Sequence, residues 1–230
     1  MRDLMAAALL VGMVLVGLRC TPVAAAPVTC ADMGGIMTSG SICHVRVSTP
    51  TYSLDMMFPV DYPDQQALMS YLSQNRDGFV SVAQTSEPHD QPYQMVVTTE
   101  QHQSGQSPHG TRSVVLKLFQ DFGSTAPFSW YRAFNYNLDR KKPIAFDTLF
   151  APGAKPLDSI YPVVQQELER RFVAGATVSR SAGMDPAHYQ NFAITDDELL
   201  FYFAQGELLL PFLGPAHAWV PRSAVPPLAL

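Results

Sequence analysis

The sequence predicts an α+β fold, a mixed and largely antiparallel sheet with two main helices, closed by one disulfide. Three observations predict it. Several separate stretches alternate apolar and polar residues with a period of two. Two others, near 64–84 and 159–172, repeat their apolar residues at helical spacing. Once the first 25 residues are set aside, two cysteines remain, Cys30 and Cys43.

Those first residues read as a cleavable signal peptide. Met5 to Leu18 is an unbroken apolar run behind Arg2, shorter than the ~20 residues a membrane span needs. Small residues follow at Val23 to Ala26, and cleavage is expected between Ala25 and Ala26, because Pro27 makes a poor residue directly after a cut. Leu18-Arg19 before Cys20 do not make a lipobox, so Cys20 leaves with the signal. Removal of Arg2, Arg19 and Asp3 leaves 13 basic and 19 acidic residues, a net charge of −6. A mildly acidic chain without basic clusters excludes nucleic acid as the expected partner, and no second apolar run reaches membrane-spanning length. In an oxidising compartment Cys30 and Cys43 pair. Closing so short a loop is worth about 3 kcal/mol.

The elements follow in order. His44–Ser48 and Tyr52–Phe58 alternate and read as strands on either side of Pro50. Asp64 is the expected N-cap of a helix running to about Gln84, with Leu68, Leu72, Phe79 and Ala83 inward, Tyr71 and Val82 beside them, and Gly78 its weak point. Tyr93–Gln103, Arg112–Phe122 and Phe128–Leu138 make an antiparallel meander. A short apolar segment, Ile144–Phe150, precedes a second helix capped by Ser159, with Pro162 in its first turn and Ile160, Val163, Val164, Leu168 and Phe172 buried. Asp185-Pro186 starts a single helical turn. Phe192–Thr195 and Leu199–Phe203 flank an Asp196-Asp197 turn, and Ala218–Val220 is the last strand.

The search for chemistry returns little. There is no G-x-S-x-G elbow and no H-E-x-x-H. Ser107 and His109 share the 104–110 loop, but Pro108 removes the backbone N–H that would follow a nucleophile, so a solvated turn is expected there. Six scattered histidines predict no metal site, and no cofactor is implied. Asp196-Asp197-Glu198 reads as a hairpin turn rather than an acid/base pair. Trp130, Phe134 and Tyr136 share one face of their strand, more as core than as ligand platform, and Tyr131 takes the other. No residue is assigned a catalytic role.

Longer strings carry a resemblance. Tyr62-Pro63-Asp64-Gln65 opening a helix, Arg112–Lys117, Tyr189–Thr195, Gly206–Leu209 and Val220–Ala224 resemble the mycobacterial secreted immunogenic antigen family. The likeness covers the whole chain, including the Ala26-Pro27 start and the Cys30/Cys43 pair. It implies a β-grasp-like packing of sheet and helix. It divides residues 26–230 into an N-terminal half, 26–140, and a C-terminal half, 141–230, similar to the extracellular domain of the lysozyme-sensing anti-sigma factor RsiV. It brings no catalytic motif.

The leading expectation is therefore a secreted, non-catalytic protein that meets a host or envelope protein. The alternative is a secreted or wall-associated carboxylesterase for small esters with a non-standard Ser/His/Asp set. Loops at one end of the sheet are the expected recognition surface: His89–Pro92, Ser104–Gly110 with Ser107 and His109, and Gly206–Gly214 with Leu210 and Phe212.

Overall fold

The computed structural model describes residues 28–38, 40–85, 91–123, 126–172 and 177–230. The expected signal peptide and its Ala25/Ala26 junction lie outside the described residues, as does His89.

One sheet forms from β1 (Ile36–Met37), β2 (Ile42–Ser48), β3 (Tyr52–Pro59), β4 (Tyr93–Ser104), β5 (Thr111–Asp121), β6 (Phe128–Asn137) and β7 (Lys142–Pro143), in that spatial order. All its pairs are antiparallel except β3 with β4. A parallel pair needs a crossover, and helix α1 (Gln65–Thr85) supplies it. The helix thus lies across one face of a mixed sheet.

A second, three-stranded antiparallel sheet has the order β10 (Ala216–Pro221), β9 (Glu198–Phe203), β8 (Phe192–Ile194). Helix α2 (Leu157–Arg171) lies against β10 and against the one-turn helix α3 (Arg180–Gly183).

Alternation along the strands makes this a four-layer stack. Leu54, Met56, Val97, Leu116 and Leu118 join Leu68, Leu72 and Phe79 of α1 in one core. On the opposite face Val115 and Tyr131 meet Ala193, Leu200 and Tyr202 of the small sheet. The far side of the small sheet, Phe192, Ile194, Phe201, Phe203 and Val220, packs on Ile160, Tyr161, Val164 and Leu168 of α2. The central strand β5 is thus covered on both faces, which is why Val114–Leu118 reads as a nearly continuous apolar run. Hydrogen bonds lace the sheets together, among them Ile194 N–H to Ser113 Oγ (3.1 Å), Asn135 Nδ2–H to the Phe192 carbonyl (2.8 Å) and Ala133 N–H to Asn191 Oδ1 (3.0 Å).

Helix α1 starts as the sequence indicates. Asp64 Oδ1 accepts from Ala67 N–H, and Gln65 ties Tyr62 N–H to the Pro59 carbonyl. Val82 is 46% exposed, and Met69 fills the inward stripe instead. Cys30 and Cys43 are bonded. The aromatic strand β6 behaves as expected, with Trp130, Phe134 and Tyr136 against the α1 core and Tyr131 on the other face.

Two expectations need correction. Helix α2 begins at Leu157, so Pro162 lies inside it and not in its first turn. The carbonyl deprived of a partner belongs to Asp158, which is exposed, so water meets the deficit. Ser159 does not cap; its hydroxyl donates back to the Pro156 carbonyl at 3.0 Å. The short apolar segment Ile144–Phe150 contains a 3₁₀ turn, Phe146–Thr148, and a bridge from Phe150 to Leu228 joins it to the chain's end.

A cavity between two hairpins

The loop between β4 and β5 and the turn between β8 and β9 close on a cavity of about 590 Å³ lined by Ser104, Thr111, Asp139, Arg140, Asp196 and Arg222 among others. Gly110 makes the hairpin possible. Its φ is +86°, and a Cβ there would stand 2.0 Å from the Ser104 carbonyl oxygen.

Two carboxylates clamp the loop from outside. Asp196 Oδ1 accepts from Gly105 N–H at 2.7 Å and from Ser104 Oγ–H at 3.0 Å. Arg222 places Nη1 3.4 Å from the same Ser104 Oγ and 3.0 Å from the Thr195 carbonyl. On the returning arm, Asp139 bonds His109 Nδ1 and accepts from Gly110 N–H at 2.9 Å. The Gly105 amide, then the Ser104 hydroxyl, hold the Asp196 carboxyl below its usual range. His109, then the Gly110 amide, do the same for Asp139. Arg140 closes the cavity's far wall by donating to the Ala229 and Leu230 carbonyls at 2.9 and 2.8 Å.

Beside this cavity a polar chain continues along β4. Glu100, His102 and Ser104 alternate onto one face of the strand. The buried Tyr202 hydroxyl donates to Glu100 Oε2 at 2.8 Å and lies 3.1 Å from His102 Nε2. Burial, then the Glu100 charge, pushes the Tyr202 phenol far up, so it stays a neutral donor.

The sequence-expected loops do not share one end of the sheet. The 104–110 loop sits at the Ser104/Thr111 end of β4 and β5. Gly206–Gly214 lies at the opposite end, where Gln205 exchanges hydrogen bonds with Ser129 at the start of β6. In that segment Leu208 and Leu209 are buried in the α2 core, while Leu210 is 55% and Phe212 80% exposed. Ser107 is exposed at the loop tip, and His109 is tied to Asp139. Ser104, Asp139 and Arg222 carry no motif, and the Asp196 turn gives no hint of its grip on Ser104. The one local signal is Glu100-x-His102-x-Ser104, an acid, a base and a hydroxyl at strand period. Among the described residues no three potential ligands are grouped to hold a metal, and no helix is long and apolar enough to cross a membrane.

Relatives set this site in context. A 230-residue protein-length match at 64% identity, covering all of both chains, is to esterase Rv3036c of Mycobacterium tuberculosis. Immunogenic protein MPT64 of the same organism and MPB64 of Mycobacterium bovis are 41% identical over 210 residues, 90% of this chain and 92% of theirs. The chain belongs to the MPT64/MPB64 family. A family model described as a protein of unknown function, DUF3298, matches residues 147–223. A DUF3298 protein from Pseudomonas aeruginosa shares the fold, with TM-score 0.52 at 9% identity over 80% of this chain and 91% of that one. The DUF3298 match includes Asp196 and Arg222 but not Ser104, His109 or Asp139. In this MPT64-family protein the cavity is therefore built by residues before, within and after the matched region, the last being Leu230.

Proposed function

We propose that the chain is an exported carboxylesterase for small esters, with Ser104 as its nucleophile. One observation carries the reading: a serine hydroxyl held between a carboxylate and a guanidinium at the wall of a 590 Å³ cavity. The 64%-identical relative named an esterase supports the same reaction class. Export rests on the apolar N-terminal run and the disulfide.

Asp196 Oδ1 already accepts the Ser104 hydroxyl proton at 3.0 Å, so it is the base, although the Gly105 amide holds its carboxyl low. His109, tied to Asp139, shapes the loop. Ser104 Oγ attacks the acyl carbon as its proton passes to Asp196. The carbonyl electron pair collects on an oxygen beside Arg222. Collapse expels the alcohol, which takes the proton back from Asp196, and water then releases the acid from Ser104 by the same route.

The test is turnover of p-nitrophenyl acetate and butyrate. Ser104→Ala should lower kcat by ~10³ or more, and Ser107→Ala should not change it. Equal turnover in Ser104→Ala and the parent overturns the assignment. A second reading, a protein that meets a host or envelope partner, draws on the exposed Leu210 and Phe212. It takes over if the parent chain hydrolyses neither ester.

A further inference from the structure

We infer that the open face of β10 is a binding site for a neutral carbohydrate, centred on Trp219. The proposal does not depend on the esterase reading.

Strand β10 turns Ala216, Ala218 and Val220 into the α2 core and sends His217 and Trp219 the other way. That second face is the one whose β9 neighbours, Leu200 and Tyr202, are buried against the main sheet. Because β10 is the edge strand, the cover stops short of it. Trp219 is left 49% exposed, although large aromatic side chains ordinarily find cover.

The ring stacks on His217 with centroids 6.2 Å apart and planes 25° from parallel, and His217 in turn lies 6.1 Å from Tyr202. Arg171, at the end of α2, fixes His217 by placing Nη1 2.9 Å from its Nε2 and 3.2 Å from its carbonyl. The result is an aromatic plate on the surface with one side turned to the histidine. Around His217, on which the indole stacks, stand two cations and two carboxylates whose charges reach the imidazole: Arg171, Glu100, Glu167 and the exposed Lys117 of β5.

Charge decides what such a plate takes. Glu100 and Glu167 balance Arg171 and Lys117, and Arg171 is already paired with Glu167 at 3.0 Å. A phosphate or polyanion would find no net positive field, and a cation no net negative one. A pyranose ring fits both halves of the site. Its axial C–H face lies on an indole, and its equatorial hydroxyls accept from Arg and Lys while donating to a carboxylate in the plane of the ring.

The probes are neutral hexasaccharides, one of glucose and one of mannose, titrated into the mature chain and followed by saturation-transfer NMR and calorimetry. At least one should bind, with ring C–H protons receiving the strongest transfer. Trp219→Ala should weaken that binding tenfold or more, and Glu100→Gln should weaken it less, with both variants folded by circular dichroism at the temperature of the titration. Failure of both sugars to bind, or equal binding by Trp219→Ala, overturns the proposal. Because Ser104→Ala should bind sugar normally, loss of esterase activity and loss of sugar binding are separately visible.

Discussion

Replacing Ser113 with Ala tests how the two sheets are joined. Ser113 is 1% exposed in β5, and its Oγ accepts the N–H of Ile194, a fully buried residue of β8. Removal takes away only one oxygen, so no sizeable cavity forms. The cost comes from leaving the Ile194 N–H buried without a partner, about 1–3 kcal/mol. For a chain of this size each kcal/mol moves the melting temperature by roughly 2–4 °C, so a fall of about 2–12 °C is expected. Calorimetry or fluorescence melting reads it directly. Because β8 leads into the turn that carries Asp196, ester turnover should also fall below the melting range. Ser107→Ala, on the exposed loop tip, serves as the control and should stay within ~0.5 kcal/mol. A Ser113→Ala melting temperature within a degree of the parent would refute the view that buried polar bonds lace the sheets.

Other outcomes follow from single features of the molecule. Gly78→Ala should stabilise by up to ~1 kcal/mol in urea unfolding, since the position is helical and exposed and nothing lies within 4 Å of the added methyl. Cys30→Ser should cost about 3 kcal/mol by the same assay, from opening a loop of sequence separation 13. Gly35→Ala should also destabilise, because its Cβ would stand 2.5 Å from Cys43 Sγ and 2.9 Å from Cys30 Sγ. Burial first, and then Arg171, lower the pKa of His217 below its usual 6.5. The unfolded chain therefore binds a proton there before the folded one does, and stability should decline as pH falls from about 6.5 toward the folded value. In His217→Gln that part of the pH dependence should flatten.

What the sequence made legible was local. The α1 stripe, the Asp64 cap, the β4–β6 meander and the cysteine pair each rest on residues close in sequence, where periodicity and turn chemistry act. Helix α2 was shifted because Ser159-x-x-Pro162 mimics a start, whereas Leu157 and Tyr161 have core contacts that draw the helix three residues earlier, to an N-cap at Pro156. The site was illegible for a different reason. Ser104 meets Asp196 across 92 residues and Arg222 across 118, and nothing local records a contact made by the stacking of two sheets. Asp196 also fits a turn so well that its second role left no trace. Tyr202, within an unbroken apolar strand, likewise reads as core until its hydroxyl is seen to reach Glu100.

The most direct test of the central claim is covalent. The mature chain is treated with a fluorophosphonate, digested, and mapped by mass spectrometry. A nucleophilic Ser104 predicts one stoichiometric phosphonate adduct on the peptide carrying Ser104, loss of ester turnover in step with labelling, and no adduct in Ser104→Ala. Stoichiometric labelling of another serine, or full ester turnover with Ser104 unmodified, would contradict it.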